Sequence, residues 1–136
     1  MLDAAARAAG APVEVLEATN VTLPSGLVVP DLVVADAGTT AEDTVSVDAD
    51  AVQLVVELVS PGNKTMDREF KPLLYAEAAI PHFWRLEFEP APRLIVSELQ
   101  AGRYVETTTA LAGATTRINA PFPVDIDPAG SLAQPR

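Results

Sequence analysis

The 136-residue chain has no cysteine. That rules out disulfides, thiolate metal sites and a thiol nucleophile. Histidine occurs once, at His82, beside Phe83 and Trp84 and just after Pro81. It reads as structural, and the lack of a second histidine argues against a zinc site or a Ser–His triad. No apolar run approaches the ~18–20 residues needed to span a bilayer. The opening MLDAAARAAGAP carries an acid at position 3 and lacks the apolar core of a signal peptide, so a cytoplasmic protein is the simplest expectation. Gly38, Gly62 and Gly102 form no phosphate-binding pattern. Basic residues are scarce: nine against nineteen acids give a net charge of −10. This counts against a general nucleic-acid binder, which gains most of its affinity from Lys and Arg on phosphates.

Apolar residues make up 49% of the chain, and the mean hydropathy is +0.20. That suffices for a sheet with one or two helices packed on it, and the length fits a single domain over residues 1–136. There is no internal repeat, heptad pattern or low-complexity tract. The charge is unevenly spread. Seven acids and no base lie between Asp31 and Glu57, whereas six of the nine bases lie between Lys64 and Arg103. The first half suits cations and the second could meet phosphates, although two solvated surfaces would read the same way.

Residues 2–9 are Ala-rich and read as a short helix. VEVLEAT alternates as a strand does, TLPSGL carries a turn, and LVVPDLVVAD is a strand run interrupted by Pro30 and Asp31. AGTTAEDTVSVDAD reads as a polar connection. AVQLVVELVSP is apolar on both faces, which predicts a central strand buried on both sides. Phe70, Leu73, Leu74 and Ala78 fall at helical spacing. The helix is expected to begin near Phe70, where Pro72 is tolerated in the first turn, and to be stopped by Pro81. HFWRLEFE, RLIVSEL and RYVETTT read as strands, with the GR of QAGRY marking a hairpin turn, and the Pro-rich tail is extended. This order predicts an α/β or α+β domain built on a mixed sheet.

Three positions could carry chemistry: Asp31 in VPDLVV, Glu57 in LVVELVSP and Lys71 in DREFKPLLY. A carboxylate in a buried strand needs a partner, because a lone buried charge is costly. Two carboxylates on neighbouring strands can hold a hard cation, Mg²⁺ or Mn²⁺. A nearby lysine can steady the charge that develops on an attacked phosphate or assist the attacking water. Each residue also has an ordinary reading: a turn-to-strand edge for the Pro-Asp pair, a surface charge for Lys71, or a buried Glu57–Lys71 ion pair without chemistry. Ser60 reads as a strand end or turn cap, Phe83 and Trp84 as core. Asp67 stands four residues before Lys71 and could pair with it on one helix face.

Residues 12–108 resemble the Uma-two family of restriction-endonuclease-like proteins, within the PD-(D/E)XK nuclease superfamily. The likeness rests on Pro30 and Asp31, Glu57, Ser60 and Pro61, Asp67, Lys71, Tyr75 and Ala76, and then Ile80, Pro81, Phe83 and Trp84. It implies a nuclease core, a twisted mixed sheet flanked by helices with the acids converging at one edge. It also implies Asp31 and Glu57 as metal ligands, with Lys71 as the third member of the catalytic set. The lysine of the usual Glu-X-Lys signature would fall at Val59, and in this family it comes from the following helix. Ala79 replaces a usual glycine, and the leading helical segment is expected to be shortened.

The function implied is a metal-dependent endonuclease hydrolysing DNA phosphodiester bonds. The alternative is a catalytically inactive nuclease-fold module for interaction or dimerisation, and a homodimer is plausible in either case. A titration with Mg²⁺ or Mn²⁺ discriminates the two.

Overall fold

A computed structural model of the chain describes residues 2–38, 46–59 and 69–130. Helix α1 (Leu2–Ala9) is followed by β1 (Val13–Glu17), β2 (Asn20–Leu23), β3 (Gly26–Val28) and β4 (Leu32–Asp36). Then come β5 (Ser46–Asp48), a 3₁₀ turn, β6 (Val52–Val59), α2 (Lys71–Glu77) and β7 (His82–Glu87). The chain continues through β8 (Arg93–Gln100), β9 (Arg103–Leu111), β10 (Thr116–Ile118) and β11 (Val124–Ile126). The main sheet has six strands in the order β1-β4-β6-β7-β8-β9. All its neighbours are antiparallel except β6 and β7, which run parallel and are joined by the crossover containing α2. The expected mixed α/β architecture is present, with β6 in the interior of the sheet.

Each face of this sheet is covered, which is why its central strands are apolar on both sides. On one face Leu32, Val34, Leu54, Val56, Trp84 and Leu86 pack with Leu2 and Ala6 of α1 and with Ile118, Phe122, Val124 and Ile126 of the tail. On the other face Val33, Ala35, Val55 and Phe83 meet Tyr75 of α2, Ile80, and Val21, Leu23 and Val47 of a three-stranded sheet, β3-β2-β5. The Pro-rich tail therefore does more than run extended: β10 and β11 form an antiparallel pair, and their inward residues complete the first core.

Two stretches depart from the strand pattern of the sequence. LVVPDLVVAD is not one strand. Its first part is β3 in the small sheet, its second is β4 in the large one, and Val29, Pro30 and Asp31 link them. Pro30 has no N–H to give to a ladder, so the chain changes sheets there. The polar connection after β4 ends in β5, which pairs in parallel with β2 through Val21 and Val47. Only Val47 of β5 is buried, so a three-residue strand left too short a pattern to show as one.

Helix α2 starts one residue after Phe70 and holds Pro72 in its first turn, as anticipated. It stops at Glu77, ahead of Pro81. The N–H of Ile80 donates to the Tyr75 carbonyl and that of Ala79 to the Ala76 carbonyl, with Ala79 at φ +60°. This is a Schellman closure, whose left-handed position ordinarily takes glycine. Between β8 and β9, Ala101 and Gly102 both have positive φ, as a two-residue primed hairpin turn demands.

Candidate active site

The site lies where β4 begins and β6 ends. Leu32 pairs with Val56, so Asp31, one residue earlier, stands next to Glu57 in the neighbouring strand. Here side chains continue the ladder. The Asp31 N–H donates to Glu57 Oε1 at 3.1 Å, and the Leu58 N–H donates to Asp31 Oδ2 at 2.7 Å. The two strands thus exchange backbone donors for carboxylate acceptors one step beyond their last amide pairing. The Asp31 carbonyl in turn accepts from the Ala18 N–H at 3.1 Å, which ties the start of β4 to the turn after β1.

Glu57 shares its face of the sheet with Val55 and is fully buried. Its second oxygen, Oε2, lies 2.7 Å from Lys71 Nζ and accepts from the Tyr75 hydroxyl at 3.3 Å. Lys71 and Tyr75 are four apart on α2, so one face of the helix delivers both groups. Burial raises the Glu57 carboxyl pKa above its ordinary 4.5. The Lys71 ammonium and the Asp31 N–H partly offset this, and the negative charge of Asp31 adds to it. The ammonium sits in the first turn of a helix, where the dipole disfavours a cation. The buried carboxylate supplies its compensation.

The structure therefore brings Asp31, Glu57 and Lys71 into one contact network. Val59, at the place of the lysine in the usual Glu-X-Lys signature, is buried in the strand. Ser60, Pro61 and Asp67 lie outside the described residues, as do Gly62, Lys64 and Arg68. Phe83 and Trp84 are core, and His82 is half-buried with its pKa lowered by desolvation, against an opposing pull from Glu98. The reading from sequence gave Tyr75 no role of its own. Its signal was its spacing of four from Lys71. It also missed Arg85 and Glu87, which alternate with Phe83 and so share the face of Glu57.

The donor set suits a hard cation. Among the described residues no group of three or more His, Asp or Glu side chains is arranged to hold a metal. Two carboxylates are nevertheless what Mg²⁺ commonly takes from protein, the rest being water and phosphate oxygens. Glu57 Oε2 already accepts a positive group, and Asp31 is exposed, which leaves its carboxylate accessible to a ligand.

A mixed sheet with a parallel central pair, a crossover helix facing the end of that pair, and carboxylates at the end of the inner strand define the class of this α/β protein. The chain matches the Uma2 family, described as "Putative restriction endonuclease", over residues 1–131, and it belongs to that family. No curated protein matches it. No described helix is long and apolar enough to cross a membrane.

Proposed function

We propose that the protein is a metal-dependent endonuclease that hydrolyses DNA phosphodiester bonds, with Asp31 and Glu57 holding Mg²⁺ or Mn²⁺ and Lys71 serving the attacked phosphate. The observation that carries the reading is the meeting, at the Glu57 carboxylate of β6, of the Asp31 N–H from the residue just before β4 and the Lys71 ammonium of α2, with the Asp31 carboxylate held beside it on the Leu58 N–H. Family membership supports it independently.

A bound divalent cation would lower the pKa of its water and polarise the phosphoryl oxygen. The protein groups do the rest. Asp31 and Glu57 present oxygens from adjacent strands, and their exchanged backbone contacts fix where those oxygens point. Tyr75 donates to one Glu57 oxygen and the Asp31 N–H to the other. Lys71 carries the positive charge that a pentavalent phosphorane-like state needs beside it. In the resting arrangement its ammonium is held on Glu57. That carboxylate and Asp31 would hold the cation, and Lys71, beside them, would supply positive charge to the phosphate.

The test is cleavage of duplex DNA by the purified chain with Mg²⁺ or Mn²⁺. Asp31→Asn and Glu57→Gln are each expected to lower the rate more than about 100-fold, beyond what loss of a supporting contact alone costs. Both should also abolish the heat of metal binding. Unchanged cleavage in both variants would rule the mechanism out. Failure of the wild type to bind either metal at millimolar concentration would instead favour an inactive interaction module, for which the net charge of −10 is the supporting observation.

A further inference from the structure

A second charged cluster lies on the same face of the main sheet, next to Glu57 and outside the mechanism above. Arg85 is the register partner of Glu57 across the parallel β6–β7 pair, so the two backbones stand about 4.8 Å apart and both side chains rise from one face. Two residues on, Glu87 is almost fully buried. Its two oxygens are taken by two arginines: Arg85 Nε at 2.7 Å on Oε2 and Arg93 Nη2 at 3.0 Å on Oε1. Arg93 is the cross-strand partner of Glu87 on β8.

A buried carboxylate with a single arginine would already be compensated. The second arginine leaves this trio with more positive than negative charge, in a chain whose total is −10. The guanidiniums are also not used up. Each has five N–H donors. Arg85 Nη2 is 3.6 Å from Glu106 Oε1, an ion pair too long for a hydrogen bond, and Glu106 is 61% exposed. Arg93 is 43% exposed, and its buried Nε has no hydrogen-bond partner. Glu87 thus orients two planar donor groups whose remaining N–H bonds suit phosphate oxygens.

We infer that Arg85 and Arg93, gathered on Glu87, form a subsite for the phosphate backbone of the nucleic acid, one and two strands to the side of Glu57. This rests on the nuclease reading and deepens it. It answers how so acidic a chain engages a polyanion: the contact is concentrated on two arginines pre-set beside the scissile position, and Glu106 gates Arg85, the one nearer Glu57. The substrate would cross the sheet end from the Asp31 side towards β8.

The test is the salt dependence of binding to a labelled duplex oligonucleotide, with Ca²⁺ as the hard cation, between about 50 and about 200 mM salt. The variants are Arg93→Gln, the pair Arg85→Gln with Glu87→Gln, and Glu106→Gln. The paired change avoids leaving Glu87 buried without its arginine, and melting curves check that each variant folds. Arg93→Gln and the paired variant are each expected to lower the slope of log affinity against log salt by about one, the signature of one lost phosphate contact. Glu106→Gln is expected to tighten binding several-fold. Calorimetric metal affinity should stay at the wild-type value in all three. Unchanged slopes with a wild type that binds DNA would overturn the subsite and leave the nuclease reading standing. A fall in metal affinity equal to the fall in DNA affinity would overturn it too, by making the cluster a support of Glu57. If the wild type binds no duplex DNA, both readings fail.

Discussion

Glu57 is a carboxylate that the fold holds against its preference. Its raised pKa comes from burial, and for a carboxyl group this means that the native chain keeps a proton that the unfolded chain has already released. Stability contributed by this group is therefore fullest below the ordinary value of 4.5. It declines as pH rises from there through the native pKa, and is constant above it. Glu57→Gln cannot titrate, so its urea midpoint relative to wild type is expected to climb across that window. A difference that is flat with pH would contradict the assignment. His82 has the opposite sign: its lowered pKa makes protonation unfavourable in the fold, so its cost appears as pH falls below 6.5, and His82→Gln should blunt that acid-side loss. Tyr75→Phe removes only a hydroxyl from Glu57 Oε2. It should cost about 1 kcal/mol in stability and about 10-fold in metal affinity, as loss of a group that steadies a ligand does; paired denaturation and calorimetry would measure the two. Glu57 was legible in the sequence because a charge inside an apolar run needs a reason. Tyr75 was not, because a buried tyrosine at helical spacing is first of all a core residue, and here its ring also packs at a tilt against Phe83 with ring centroids 5.8 Å apart.

Among the elements, α2 shows how local rules place a functional group. Pro72 is admissible only in the first turn, which puts Lys71 at the helix start and aims it across the end of β6. That much could be read from the order of residues. The end of the helix could not, since Pro81 announces a stop but the Schellman closure through Ala79 ends the helix earlier, at Glu77. A left-handed alanine is strained by its Cβ. Ala79→Gly is expected to stabilise the chain by about 0.5–1 kcal/mol, the steric relief less the added entropy of the unfolded glycine, as read from the shift in denaturant midpoint. No gain would mean that the surrounding packing on Ile80 sets this turn. The same limit explains β5 and the split at Pro30. A three-residue strand, or a change of sheet within one apolar run, is decided by pairing partners far away in sequence, and only the partners reveal it.

For the molecule as a whole, the mixed sheet and the two-sided burial of β6 followed from composition and pattern, whereas the order of its strands did not. The closing of one face by the tail did not, because PFPVDIDP alternates over too few residues to declare a partner. The charge is a whole-molecule property. A chain at −10 repels itself, and salt shortens the reach of that repulsion from about 30 Å at 0.01 M to about 8 Å at 0.15 M. The melting temperature at neutral pH is expected to rise over that range, in contrast to DNA binding, which should weaken. A scan that showed melting falling with salt would mean that paired charges such as Arg7–Asp3 and Arg117–Asp125 outweigh the net repulsion.

The exchange of contacts between Asp31 and β6 carries one more consequence. The final rungs between β4 and β6 are made with the same carboxylates that are proposed to hold the cation. Loss of either acid would then unfasten the end of a central strand as well as silence the site. A drift to inactivity through these positions could not be structurally silent: a relative that has discarded its chemistry but kept this fold should show a replacement at both positions that still ties the strand end, such as Asn or Gln, and not a scatter of unrelated residues.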